Sequence, residues 1–447
     1  MSAKRKNIII IISVLLAVLL TGCLSITADE LYSLPEIAPE HLRLQAHINV
    51  LRNQGAEFAP PTRGPNRQAV QLVDLNGTGT SEVIAFFSMP GDSILRIYIF
   101  QLHEGDYQVA EIIEEIGTEI ESVRYVDMDG DGVVELVIGW QMGSALRYMS
   151  IYSIKDFHSQ ELVRGVEYSE IAVADMSGDG TDDVIVFRLP THDTGAVAEV
   201  FSLMQDGEPQ RVEARLSNGV ESISRIQTGR LLDRFPAIFV DSEGTFENGS
   251  FVTDILVKDG ESFSNILMQS ASGVSESTVR HGMASADINK DGIVKVPNLR
   301  LLVAQSETEY YAIDWYTFRK TGQRILALTT YHNTFDEWFL ILPVNWREKV
   351  SVRREDSVPG ERTIIFSYFD ITTGEHEDFL KIFKLSGENA LERANTDGRE
   401  LLISEGASTY AFKLVAPPNS FGLTFDEATI HANFRLIYSD WLSGSAT

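Results

Sequence analysis

Val126-Asp127-Met128-Asp129-Gly130-Asp131-Gly132-Val133-Val134-Glu135-Leu136-Val137-Ile138-Gly139-Trp140 decides how the remainder of the chain is understood. Three aspartates at alternate positions, a glycine after the third and an acidic residue four positions beyond it make a short oxygen-rich loop. Calcium takes six to eight hard oxygen ligands, several of them charged. Such a loop supplies side chains from positions 1, 3, 5 and 9 and a backbone carbonyl from position 7. Here these are Asp127, Asp129, Asp131 and Glu135, with the carbonyl of Val133, and Gly132 provides the sharp turn. Position 12 is Ile138, not the bidentate glutamate of an EF-hand, and the following apolar, β-branched run is strand-like. The expected ion is therefore structural, stapling the entrance of a strand.

The pattern recurs. A weaker copy runs from Asp74 through Asn76 to Glu82, with Thr78 at position 5. A better one carries Asp175, Ser177, Asp179, Thr181 and Asp183. A fourth keeps Asp287, Asn289 and Asp291 but has Lys295 at position 9, so it is expected to be empty or weak, and Lys295→Ala is expected to matter little. The loops start at 74, 127, 175 and 287, and the last gap of 112 is twice 56. At its midpoint Arg225–Gly229 and Pro236–Val240 have a strand but no acidic ligands. A period near fifty residues with strands in each unit marks a propeller or another repeat array.

On these loops the chain resembles FG-GAP or VCBS-type repeat proteins, over roughly residues 65 to 300. The resemblance implies a β-propeller like the integrin α-subunit head, with D-x-D-x-D-G-x-x-[DE] calcium loops. Strand patterning continues past residue 300, and Asp397–Ile403 is read as a worn seventh unit. The expected fold is all-β, a propeller of about seven four-stranded antiparallel blades over 65–415, with six or eight as alternatives and short helices at both ends. The first helix spans Glu40–Asn53, with Leu44, Ile48 and Leu51 on one face, inside a leader of residues 23–64. The second, in a segment 416–447, runs from a Thr424 cap to Trp441, with Phe434 and Ile437 facing the body.

The first 22 residues read as a secretory signal: basic Lys4-Arg5-Lys6, an apolar run Ile8–Leu20, then small residues before a cysteine. Leu20-Thr21-Gly22-Cys23 resembles the lipobox of bacterial lipoproteins, which implies cleavage before Cys23, diacylation of that residue and a membrane-anchored protein at the cell surface. Cys23 is the sole cysteine, so no disulfide forms within the chain. Loss of the three basic residues takes the formal net charge from −27 to −30, which argues against nucleic-acid partners.

The motifs H-E-x-x-H, G-x-S-x-G, Walker A and G-x-G-x-x-G are absent. Trp140, Trp315, Trp338 and Trp346 are candidates for stacking on sugars if exposed. The expected function is a non-catalytic binding or scaffold module for an envelope protein or glycan. A propeller-based polysaccharide lyase or hydrolase is the rival reading, and an envelope assembly scaffold the third.

Overall fold

The computed structural model describes residues 39–155, 158–204, 207–246, 251–276, 283–305 and 307–437. The signal segment and Cys23 lie outside them. Six antiparallel sheets of four or five strands follow one another along the chain. Sheet one contains β1 (Glu57–Phe58), β2 (Val70–Val73), β3 (Glu82–Ser88), β4 (Ile94–His103) and β5 (Asp106–Ile116). Sheet two contains β6 (Glu119–Val126), β7 (Glu135–Met142), β8 (Leu146–Lys155) and β9 (His158–Glu167). Sheet three contains β10 (Glu170–Ala174), β11 (Asp183–Arg188), β12 (Val197–Leu203) and β13 (Pro209–Arg215). Sheet four contains β14 (Val220–Arg230), β15 (Pro236–Gly244), β16 (Phe251–Asp259) and β17 (Ser262–Asn265).

Sheet five contains β18 (Val296–Leu301), β19 (Tyr311–Phe318), β20 (Arg324–Asn333) and β21 (Trp338–Leu342), extended by β27 (Phe434–Leu436). Sheet six contains β22 (Val350–Glu355), β23 (Glu361–Phe369), β24 (His376–Leu385), β25 (Glu400–Glu405) and β26 (Ser408–Leu414).

The second strand of each early sheet is a nearly unbroken apolar run because both of its faces are covered. In β3, Ile84 and Phe86 face sheet two, meeting Ile120, Leu136 and Trp140. Their neighbours Val83, Ala85 and Phe87 face the other way, onto Leu44 and Ile48 of helix α1 (Pro39–Asn53). The same period-two division repeats down the chain. Val137 and Ile151 meet Val184 and Phe201, Ile185 and Val200 meet Ile238 and Val240, and Phe239 and Val257 meet Val296 and Phe318. Tyr331, Trp338 and Leu340 of sheet five then pack on Val352, Ile364 and Phe366 of sheet six. This face-to-face succession is propeller-like. Among the described residues, no buried apolar cluster joins sheet six to sheet one, whose outer face is taken by α1.

Two expectations are corrected here. The seventh unit expected at Asp397–Ile403 is no separate blade. Its strand, β25, is the edge of sheet six, in the order β22-β23-β24-β26-β25. The short helix α2 (Ala390–Arg393) and the following turn carry the chain past the place where β26 pairs with β24, and β25 then pairs outside it. At the other end, helix α3 covers only Glu427–Asn433, and its cap is Asp426, whose side chain accepts the Thr429 N–H at 2.8 Å, not Thr424. Phe434 leaves the helix for β27, where it pairs opposite Leu340 and stacks on Trp338 with centroids 5.5 Å apart. Residues 438–447, including Trp441, lie outside the described part.

The four tryptophans singled out for sugar stacking are all core residues: Trp140, Trp315, Trp338 and Trp346 are at most 1% exposed.

Candidate metal centre

The first three acidic loops lie at the turns that lead into the buried apolar strand of a sheet. Residues 74–82 join β2 to β3, 127–135 join β6 to β7, and 175–183 join β10 to β11. The 287–295 loop is closed by the Ala286–Lys295 bridge and enters β18. Sheet-on-sheet packing brings the first three side by side. The Val134 N–H donates to the Leu75 carbonyl at 3.0 Å, and the Asp182 N–H to the Asp127 carbonyl at 3.4 Å. The approach is close enough that a Cβ on Gly77 would lie 2.4 Å from the Gly132 carbonyl oxygen, so position 77 accepts glycine alone. At the midpoint of the 175-to-287 gap, where no acidic ligands were expected, the β14–β15 turn passes, and Arg234 Nη1 donates to the Asp291 carbonyl at 3.2 Å.

In the 127–135 loop the aspartates first organise the backbone. Asp127 accepts the N–H groups of Gly130 at 2.8 Å and Gly132 at 3.1 Å, and Asp131 accepts that of Val133 at 2.8 Å. One oxygen each from Asp127, Asp129 and Glu135 lie within 4.8 Å of one another, the one such trio of acidic, histidine or cysteine side chains among the described residues. Glu135 is fully buried. Its Oε2 accepts the Met128 N–H at 3.0 Å, whereas its Oε1 is buried beside the Ser153 hydroxyl without a hydrogen bond of good geometry. Burial, reinforced by the charges of Asp129 and Asp131 and only partly offset by that N–H and the Ser153 hydroxyl, pushes Glu135 up to about 7. A buried carboxylate oxygen left without a donor is costly, and a cation among the three carboxylates would remove that cost.

Asp131 is not part of the trio. Lys155, at the end of β8, holds it at 3.0 Å and stands 3.6 Å from Asp129. Burial opposes its ionisation, but the Val133 N–H and this ammonium keep Asp131 below the usual carboxylate range.

The other loops have found different partners. Glu82 is buried with both oxygens satisfied, Oε2 by the Leu75 N–H at 2.9 Å and Oε1 by Asn76 Nδ2 at 3.2 Å. Asp74 accepts the N–H groups of Thr78 at 3.1 Å and Gly79 at 2.7 Å. In the third loop Asp175 accepts from Gly178 at 2.6 Å and Gly180 at 3.0 Å, and Asp179 from the Thr181 N–H at 3.0 Å. Asp183 accepts from Met176 N–H at 3.1 Å and from the Ser202 hydroxyl. Lys258 of β16 reaches in from sheet four, donating to Ser177 Oγ at 2.8 Å and lying 3.7 Å from Asp183.

In the fourth loop Lys295 is 1% exposed. Its Nζ donates to Asp291 at 2.6 Å, the Ile293 carbonyl at 2.8 Å, Asp287 at 3.2 Å and the Asn289 side-chain oxygen. This ammonium is the partner of the loop's oxygens, which argues against the expectation that Lys295 could be removed with little effect.

Lys155 and Lys258 were missed by sequence reasoning. Lys258 stands 81 residues from the serine it binds, and no local pattern marks it. A separate feature is a cavity of about 450 Å³ at the opposite end of sheet three, with Arg188, Asp193, Glu213 and Arg215 among its polar lining. No helix of the described residues is long and apolar enough to cross a membrane.

No family model matches the chain. No curated protein matches it either. Solved structures do. A protein from Lactobacillus plantarum is 11% identical, with 71% of this chain and 85% of that one covered and a TM-score of 0.30. An endo-arabinase from Bacteroides thetaiotaomicron is 12% identical, with 60% and 100% covered and a TM-score of 0.26. An exotype rhamnogalacturonan lyase is 10% identical, with 79% and 83% covered and a TM-score of 0.27. At these scores the likenesses carry no argument about activity, and the all-β, propeller-like description rests on the six sheets themselves.

Proposed function

We propose that this chain is a bacterial cell-surface lipoprotein of FG-GAP/VCBS type, anchored through Cys23, whose propeller-like body is a non-catalytic binding or scaffold module stiffened by calcium. The observation that carries the calcium reading is Glu135 Oε1, buried, without a well-formed hydrogen bond and grouped with the carboxylates of Asp127 and Asp129. Those three residues would hold the ion, joined by Asp131 once Lys155 swings aside and by the Val133 carbonyl. Lys155 is 53% exposed, so its displacement costs little. The ion would offset part of the loop's negative charge and tie β6 to β7, a structural role with its protein ligands directed inward. The polar cavity of sheet three, with two arginines and three acids among its lining, suits a hydroxyl-rich or charged ligand such as an envelope glycan.

Two outcomes are expected. Asp129→Ala should abolish most of the calcium-dependent rise in thermal stability while leaving metal-free unfolding close to that of the native chain. An undiminished rise in the variant would remove the metal from this loop. Cys23→Ser should accumulate as an uncleaved, unacylated precursor, read by mass spectrometry of the N-terminus. Normal cleavage with membrane retention would defeat the lipid anchor.

A further inference from the structure

Folding has placed a lysine beside three of the four acidic loops, and the three differ in burial. The Lys295 side chain is 1% exposed, Lys258 7% and Lys155 53%. Lys295 donates to residues at positions 1, 3, 5 and 7 of its loop, the places from which a calcium ion would draw its oxygens. Lys258 meets positions 3 and 9 of the third loop through Ser177 and Asp183. A buried ammonium with several acceptors has already lost its water, and a divalent cation admitted a few ångströms away would be repelled strongly at low dielectric. The first loop needs no cation, since the Asn76 amide and the Leu75 N–H satisfy Glu82. Only in the second is a buried carboxylate oxygen at position 9 left without a well-formed hydrogen bond and the neighbouring lysine exposed enough to swing into solvent.

We infer that Lys258 and Lys295 are tethered replacements for the metal in the third and fourth loops, so that the molecule binds one calcium ion, in the 127–135 loop. The stoichiometry rests on the calcium reading above; the lysine replacement is testable without it. Both lysines then act as selectivity devices, since each excludes metal from an otherwise suitable ring of oxygens.

Equilibrium dialysis of the purified full chain against radioactive calcium tests this. The native chain should bind one ion, Asp129→Ala none, and Lys295→Asp two, because the new carboxylate completes the Asp287, Asn289 and Asp291 set. Should Lys295→Asp fail to fold, Lys258→Ser carries the same expectation at the third loop. Two or more ions on the native chain overturn the inference, as does a lysine variant that folds and gains none. A native count of zero overturns the calcium reading instead. The replacement then stands if a lysine variant gains an ion and falls if none does.

Discussion

Replacing Lys295 by methionine should destabilise the protein by about 3 kcal/mol, the lower end of what removing one partner of a buried ion pair costs. Methionine keeps most of the apolar stem and deletes the ammonium. Asp287, Asp291 and the Asn289 side-chain oxygen would then surround a methyl group, with two carboxylates facing each other unopposed. Asp287 and Asp291 retain some exposure, 25% and 38% of their side chains, which lets water soften the loss and sets the expectation at the lower end. Urea unfolding measures the effect, and calcium should restore little of it because the position-9 ligand remains missing. A change below about 1 kcal/mol, the range of exposed ion pairs, would mean that the ammonium does not hold the loop.

The second large effect is acid-induced. His332 lies within β20, stacked against Phe339 at 5.0 Å, and burial pushes its pKa from 6.5 down to about 3. A histidine whose folded value lies below its unfolded value favours folding when neutral. That contribution is fully present above about pH 6.5 and is lost progressively as pH falls toward 3. The depression corresponds to on the order of 5 kcal/mol across the whole window. Carboxylates titrate in the same range, so the informative comparison is between the native chain and His332→Phe. The native chain should lose several kcal/mol more between pH 7 and pH 4 than the variant. Equal acid losses would show that His332 protonates without cost in the fold.

The early sheets were legible because each carries its own punctuation: an acidic turn, then an apolar run whose alternate residues face opposite neighbours. Leu44 and Ile48 likewise declared the buried face of α1 by helical spacing. Past residue 300 the loops no longer mark the units, and the count slipped from six sheets to seven. The error has a local cause, since Asp397–Ile403 looks like a turn and strand whether that strand opens a new sheet or borders an old one. Phe434 was read as helical because its pairing with Leu340 is remote in sequence. The tryptophans carried no sign of their burial, which depends on sheets packing against one another.

At the candidate centre the sequence identified the loop but not the competition for it. Asp127, Asp129 and Glu135 come together as spacing requires, whereas Asp131 is drawn aside by Lys155. Nothing in the third loop's spacing announces Lys258, which arrives from the neighbouring sheet. The fourth contains its own answer, a lysine at position 9. Its sign was readable from the chain, but its burial and its four acceptors were not.

Thermal unfolding of the purified chain near neutral pH, metal-free and then with about 10 mM calcium, is the most direct test of a calcium-stapled body. Affinities in the usual range of extracellular calcium modules give a stabilisation of about 1–3 kcal/mol, seen as a midpoint several degrees higher. The account predicts this shift with calcium and not with an equal concentration of magnesium. An unchanged midpoint with calcium, or an equal shift with both ions, would contradict it.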